Sequence, residues 1–373
     1  MTEGGGPRFE RWLAGHADAA AALLIGLGIA ARLRAARAPF LTPDEALHLQ
    51  IAGAGSALDV YRASLDNAHP PLFVLLLHVW KGAADSDWAL RLLPVLFASL
   101  FLWAVWAWAR RLLGENAGLL TLAFVALLPA VVIVTSELRG YALLLCMIAA
   151  ALAALERGLS ERSAGWIAAF GALGALALLS HYAAFRFAAA AIAYSALRLA
   201  ARPRTPRLTA AWASASALLA AVALLLARSH VVRLRGGALE AEARSTWLRD
   251  AYFHRGETGA AAFLWTQTLS LFHYVFSSTV AGIVALGLFL FAIAWLARRR
   301  QPSAVLLGLP LALGAAGGLL AVYPYGGTRH SIDLAVFLCA GVGLALSRLT
   351  GERRWVVLAA AAALAPAAFL AAG

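Results

Sequence analysis

His69-Pro70-Pro71-Leu72-Phe73-Val74-Leu75-Leu76-Leu77-His78-Val79 is the stretch on which the topology of the chain turns. It is apolar, yet as a helix it reaches only about 16 Å, roughly half of a hydrocarbon core that takes about 20 residues to cross. The proline pair suits a helix start and no other helical position. At that length an interfacial or re-entrant helix is expected, not a span. Eleven other apolar runs are then long enough: roughly 17–33, 88–109, 115–135, 139–156, 164–180, 183–200, 208–228, 278–297, 303–322, 331–348 and 355–371.

Charge agrees with this count. With the N-terminus inside, six short inside segments hold sixteen cations: Arg8 and Arg11; Arg110 and Arg111; Arg157 and Arg162; Arg198, Arg202, Arg204 and Arg207; Arg298, Arg299 and Arg300; Arg348, Arg353 and Arg354. The short outside connections near 136–140, 180–186 and 323–331 hold one each, Arg139, Arg186 and Arg329. Short cytoplasmic loops carry such an excess, whereas long loops such as 34–87 and 229–277 obey the rule weakly. Counting 69–79 as a span would turn every later loop inside out. The histidines sort the same way without having been used: His48, His69, His78, His181, His230, His254, His273 and His330 fall on or near the outside, and only His16 inside.

Composition excludes the soluble classes. Of 373 residues, 62% are hydrophobic and 13% charged, with mean hydropathy +0.77; soluble chains carry about 25% charged residues. The net charge of +12 reads as topogenic, with no nucleic-acid partner expected. Lys81 is the one lysine, and the arginine and alanine excess fits a GC-rich genome. Cys146 and Cys339 lie inside apolar runs with no metal or disulfide spacing. The first apolar run is read as an anchor, since no small-residue cleavage site follows it.

Polar chemistry gathers on the outside. In Leu41-Thr-Pro-Asp-Glu-Ala-Leu-His48, Thr42, Pro43 and Glu45 fit an N-cap, a first-turn proline and a capping-box acid. Glu45 suffices for the box, which leaves Asp44 free, with His48 one turn on. Asp66-Asn-Ala-His69-Pro-Pro71 opens a helix whose first amides lack partners, a ready anion site. Ser136-Glu-Leu-Arg139-Gly-Tyr141 is a tight turn in which Glu137 and Arg139 either pair with each other or serve function. Ser180-His181-Tyr182 is a second tight turn. In Tyr323-Pro-Tyr325-Gly-Gly-Thr-Arg329-His330, two glycines permit close backbone approach. Asp333, one turn into the following span, is expected to orient Arg329 or His330. An arginine–histidine–aromatic cluster at membrane depth suits a phosphate head group. Residues 229–277 read as one or two amphipathic interfacial helices, with charges for an acceptor or for anionic lipid.

These stretches together resemble the GT-C superfamily of polytopic glycosyltransferases, in particular the protein O-mannosyltransferases and the lipid A aminoarabinose transferases. The matching elements are Asp44-Glu45, His69-Pro70-Pro71-Leu72, Arg91-Leu92-Leu93-Pro94, Glu137-Leu138-Arg139-Gly140-Tyr141, and Tyr323-Pro324 through Arg329-His330, in order over residues 42–331. The resemblance implies an all-α polytopic membrane protein, residues 1–373 as one transmembrane domain with interfacial helices in 34–87; the soluble C-terminal domain that many such relatives carry is not expected here, which is a departure from the pattern. It implies an inverting transfer of a sugar from a polyprenyl-phosphate donor at the outer face of a bacterial cytoplasmic membrane, to a lipid, glycan or protein acceptor. Asp44 is then the catalytic base with Glu45 beside it. A dissociating glycosyl phosphate also needs its leaving charge met, for which His69, Arg139, Tyr141, Arg329 and His330 are the candidates; His48, His181, Tyr182 and Tyr325 are candidate substrate contacts. The rival reading is a transporter or flippase of a lipid-linked sugar, against which one-sided charge speaks. No cofactor is expected. No metal is expected either, because no Asp-x-Asp lies near Asp44 and His69 with His330 lacks a third ligand.

Overall fold

The computed structural model describes residues 16–350 except 66, 68, 202 and 204. The expected span 355–371 and the cations Arg8, Arg11, Arg202, Arg204, Arg353 and Arg354 lie outside the described residues. The other ten expected spans all fall on helices. In chain order the helices are α1 (Ala17–Ala35), α2 (Pro43–Ala52), α3 (Ala57–Ser64), α4 (Leu72–Trp80), α5 (Asp87–Leu113), α6 (Glu115–Leu127), α7 (Pro129–Val134), α8 (Tyr141–Glu161), α9 (Ala164–Ser180) and α10 (Ala184–Ala200). They continue with α11 (Pro206–Leu234), which has a π-turn at Ala227–Val231, then α12 (Ala238–Ser245), α13 (Ala260–Phe276), α14 (Thr279–Arg298), α15 (Ser303–Leu319) and α16 (Leu334–Thr350). No strand occurs among the described residues.

Four of these helices, α5, α8, α11 and α14, are long and apolar enough to cross a membrane. Helices α6, α9, α15 and α16 are equally apolar but shorter. Three of them are short at one end of the bundle, where the chain leaves helical geometry to build polar linkers: α9 stops before His181, α15 before Tyr323, and α16 begins after a 3-10 turn at Arg329–Ser331. Asp18–Arg110 (2.7 Å) and Arg111–Glu161 (3.5 Å) mark the opposite end, at the start of α1 and the ends of α5 and α8.

The run 115–135, expected as one span, is broken at Leu128. Proline lacks an N–H and pushes the residue before it out of the helical region, and Leu128 sits at φ −63°, ψ 127°. The break frees carbonyls inside an apolar bundle. Arg32, fully buried on α1, takes them: Nη2 donates to Val125 O and Nη1 to Ala126 O, both at 2.9 Å, while Nε donates to Thr135 Oγ1 at 2.9 Å. Gly28 makes this possible, since a Cβ there would meet Leu102 Cδ1 at 2.8 Å and Ala126 Cβ at 3.0 Å.

The stretch 69–79 behaves as a short element. Helix α4 has nine residues, starts after both prolines, and has no side-chain cap. With α2 and α3 it forms a small apolar cluster (Ile51, Val60, Phe73, Val74, Leu77) seated on Leu90, Leu93, Leu138 and Leu143. Residues 229–277 contain α12, a 3-10 turn at Arg249–Ala251, and α13. Helix α13 packs more deeply than an interfacial helix requires: Leu271, Phe272, Val275 and Phe276 join the main core, with Phe272 and Phe289 rings 6.0 Å apart.

Candidate active site

The site begins with a helix start. Thr42 caps α2 by accepting from Glu45 N, and Glu45 Oε2 accepts from Thr42 N at 2.8 Å, with Pro43 in the first turn. Glu45 does more than cap. Its carboxylate receives Arg91 through Nε and Nη2, both at 2.8 Å, and Leu138 N at 2.8 Å. Arg91 also donates to Ala38 O and Phe40 O at 2.7 Å. Burial alone would raise the Glu45 carboxyl, but the bonds from Arg91, Leu138 and Thr42 outweigh it and hold it at about 2. With its oxygens committed, Glu45 fastens α2 to α5 and to the 136–140 turn, and has no lone pair to spare for a substrate proton.

Asp44, the neighbour on the same helical turn, faces the other way. Its side chain is 40% exposed, and Oδ2 accepts from Arg139 Nη1 at 3.0 Å and Arg329 Nη2 at 2.5 Å. Three segments distant in sequence thus meet at one carboxylate: α2, the α7–α8 turn and the loop before α16. The glycine loop brings Arg329 in. A Cβ on Gly327 would meet Ser270 Oγ at 2.5 Å, and Gly326, at φ +128°, would meet Gln267 Oε1 at 2.0 Å, so only glycine lets this loop lie on α13.

Behind Asp44 stands a row of imidazoles. Ring centroids are 5.3 Å apart for His48–His69, 5.0 Å for His69–His181 and 6.4 Å for His181–His330, and Tyr141 lies 5.0 Å from His181. Arg139 lies over the Tyr141 ring at 5.1 Å. His48 Nδ1 is 2.8 Å from Asp44 O, and a carbonyl only accepts, so that nitrogen carries the proton. His181 Nδ1 accepts from Ala183 N at 3.1 Å, so its Nε2–H is the donor, and it is buried without a partner. Tyr141 Oη, His69 Nδ1 and Arg139 Nε are also buried and unbonded. Buried polar atoms are normally satisfied; several orphans on one cluster of rings and a guanidinium mark a place for a polar ligand. Burial, reinforced by the neighbouring arginines, keeps the row uncharged: His48 is held down to about 4, His330 to about 3, and His69 and His181 well below their usual value.

Asp333 does not orient Arg329. It is fully buried and pairs with Arg186 (Nη2–Oδ1 2.5 Å), whose Nη2 also donates to His330 O at 3.0 Å. The geometric reason is helix phase: Asp333 faces α10, whereas Arg329, at the start of the 3-10 turn, reaches Asp44 on α2. Asp333 therefore positions His330 through Arg186. Tyr325 stands apart from the cluster, buried with its hydroxyl bonded to Thr268 Oγ1 at 2.8 Å. Tyr182 stacks on Phe185 at 6.5 Å, and its hydroxyl is buried without a hydrogen-bond partner. Arg91 and Arg186 were not among the expected site residues. Their signal was present, an arginine one turn inside an otherwise apolar run, but the charge count treats such a residue as topogenic.

A cleft of about 390 Å³ opens beside the pair Asp44–Arg329, lined by Ala130, Ile133, Val134, Glu137, Trp247, Leu248, Tyr274, Gly327, Thr328, Arg329 and His330. One wall is apolar and belongs to α7; the other carries the guanidinium and imidazole. No group of three His, Cys, Asp or Glu side chains among the described residues is arranged to hold a metal ion. The arrangement offers a carboxylate, two guanidiniums, neutral donors and an apolar approach, which is what an anionic head group on an apolar tail requires.

The family described as dolichyl-phosphate-mannose-protein mannosyltransferase matches residues 68–230 by sequence. No curated protein matches the chain. Among solved structures, ArnT from Cupriavidus metallidurans bound to undecaprenyl phosphate is similar at TM-score 0.55 and 16% identity, over 92% of this chain and 63% of that one. The Archaeoglobus fulgidus oligosaccharyltransferase tethered to an acceptor peptide with an NVT sequon is similar at 0.53 and 14%, over 97% and 55%. AglB from Archaeoglobus fulgidus, with an inhibitory peptide and a dolichol-phosphate, gives 0.53 and 13%, over 97% and 55%. The chain thus spans just over half to under two thirds of these proteins. At such identities the likeness establishes the fold alone: an all-α, polytopic arrangement like that of these proteins.

Proposed function

We propose that this chain is a membrane glycosyltransferase that moves a sugar from a polyprenyl-phosphate-linked donor to an acceptor, with inversion, at the outer face of the membrane. The observation that carries the reading is the carboxylate of Asp44 held by two arginines, one of which, Arg329, lines a half-apolar cleft. The family matched over 68–230, and the lipid phosphates bound by two proteins of the same fold, support a donor of that class.

In this reading the donor phosphate competes with Asp44 for Arg139 and Arg329. Both guanidiniums move to the phosphate, aided by Arg139 Nε, Tyr141 O–H, His181 Nε2–H and the imidazoles of His69 and His330. Neutral imidazoles donate to phosphate without the desolvation cost of buried cations. Asp44, released from both arginines, accepts the proton of the acceptor group as that group's oxygen bonds to the anomeric carbon. The bond from this carbon to the phosphate oxygen breaks on the opposite face, and polyprenyl phosphate leaves with its charge met by the clamp. Glu45 and Arg91 keep α2 in place throughout, and Asp333 and Arg186 do the same for His330.

The test is direct. Protein purified and placed in lipid nanodiscs is assayed for binding of undecaprenyl phosphate and, by mass spectrometry, for lipid carried through purification. Saturable binding that is lost in Arg329→Ala is the expected result. A wild-type protein that neither carries nor binds a polyprenyl phosphate would remove the reading.

A further inference from the structure

One carboxyl at the site is not absorbed by the clamp. Glu137 lies two residues before Arg139, and charge alone would pair them. They do not pair: Arg139 gives its guanidinium to Asp44, and Glu137 has no ion-pair partner among the described residues. Its Oε2 is buried without a hydrogen-bond partner. The side chain lines the cleft with Trp247, Tyr274 and Thr328, and Thr328 Oγ1 is also buried and unbonded. Arg329 and His330 form the next part of the same wall.

Three classes of occupant can be weighed against this lining. A phosphate is repelled by a carboxylate and is better served at Arg329. A prenyl chain gains nothing from bare carboxyl and hydroxyl oxygens. A sugar ring has both characters, an apolar C–H face that packs on aromatic rings and a rim of hydroxyls that need donors and acceptors. Aromatic rings, a carboxyl and a hydroxyl beside a phosphate clamp match a glycosyl phosphate, ring and anion together.

We infer that Glu137 reads the sugar of the donor, bonding ring hydroxyls in the cleft that Trp247 and Tyr274 help to line while Arg329 holds the adjoining phosphate. The inference rests on the transfer reading above and adds the residue that recognises the sugar. Burial raises the carboxyl from its ordinary value, against the pull of Arg139 and Arg329. Its oxygens accept from ring hydroxyls, which bring their own O–H donors.

The experiment measures binding in nanodiscs of undecaprenyl phosphate and of its mannosyl, glucosyl, galactosyl and arabinosyl forms. Wild type should bind at least one glycosylated form more tightly than the bare lipid phosphate. Glu137→Ala should cut that preference by about tenfold or more, the size of one hydrogen bond to a charged or strongly polar group, and leave bare undecaprenyl phosphate binding as before. Glu137→Gln should lose less. Thermal stability of Glu137→Ala should hold or rise, because a buried carboxyl oxygen without a hydrogen-bond partner is removed; a residue with a purely structural role would lower it. The inference is overturned by a preference unchanged in both variants, or by equal losses for bare and glycosylated lipid. Weakened acceptor binding with donor preference unmoved would also overturn it, and would give the cleft to the acceptor. Wild type that binds no form of the lipid removes the transfer reading itself, a failure separate from that of Glu137.

Discussion

Arg329 Nη2 and Asp44 Oδ2, 285 residues apart in the chain, bond directly at 2.5 Å, and Arg139 reaches the same oxygen at 3.0 Å. The proposed base and the proposed phosphate clamp are therefore occupied with each other when no donor is present. In the proposed reaction, filling the clamp with the donor phosphate is what would release the base.

It follows that Asp44→Asn separates the two roles. Transfer should fall by about 10²–10⁴-fold, the usual cost of losing a general base. Affinity for undecaprenyl phosphate should hold or tighten, because the arginines no longer have a carboxylate to leave. Arg329→Ala should abolish lipid-phosphate binding and Arg329→Lys should weaken it, since a single ammonium does not reproduce a bidentate guanidinium. Titrations of the three variants in nanodiscs check the set. A fully active Asp44→Asn would end the case for the base.

Glu45→Gln should injure the fold more than the chemistry. Breaking a buried ion pair from one side costs about 3–5 kcal/mol, and the Arg91–Glu45 pair is buried at both ends. The melting temperature in detergent should drop well below that of Asp44→Asn, whose carboxylate is part exposed. Equal melting temperatures for the two variants would contradict the division of labour between the neighbouring acids.

Acid should loosen the site. The folded-state value of His48 is depressed to about 4 and that of His330 to about 3. As pH falls below the ordinary imidazole value of about 6.5, the unfolded chain takes up protons that the folded one refuses, so stability declines. The loss runs from about 6.5 down to the folded-state values and is complete below them. Glu45, depressed to about 2, adds a second loss below the ordinary carboxyl range. Melting temperature against pH should slope downward below about 6.5, and His48→Gln with His330→Gln should flatten the first part of the slope.

Much of this was legible in one sequence. The short helix at 69–79 and the alternating arginine-rich loops were enough to bring His48, His69, His181 and His330 to one end of the bundle. Thr42, Pro43 and Glu45 announced their helix start because capping is local chemistry. What escaped was pairing across the bundle. Whether Arg139 would turn to Glu137 or to Asp44, and Asp333 to Arg329 or to Arg186, depends on the rotational phase of helices packed side by side, and no spacing along one segment encodes that. Arg91 and Arg186 escaped for a related reason: their partners are supplied by other helices, and an isolated arginine in an apolar run looks the same whether it anchors at the surface or bonds inside.

Arg32 and Pro129 should behave as one unit. Arg32→Met leaves Val125 O and Ala126 O without donors, at about 1–3 kcal/mol for each buried group. Pro129→Ala lets the helix close and restores a donor to Val125 O, so it should recover part of that loss in the Arg32→Met background. In wild type the same proline change should gain nothing, because the carbonyls are already served. A double-mutant cycle on melting temperature reads the coupling; strictly additive effects would show that the two residues act separately.

The same guanidinium sets a schedule for making the protein. Helix α1 leaves the ribosome carrying Arg32, but the carbonyls and hydroxyl that receive it, at Val125, Ala126 and Thr135, lie 93, 94 and 103 residues further on. Until they emerge, the first helix carries an unanswered charge that the membrane interior rejects. Apart from the bond to Gly28 O on its own helix, the guanidinium can complete its hydrogen bonding only once the broken α6–α7 segment is in place. Thr135 is the neighbour of Ser136, where the Glu137 and Arg139 turn begins. The seat of Arg32 and the turn that carries Glu137 and Arg139 are thus built from one continuous stretch of chain.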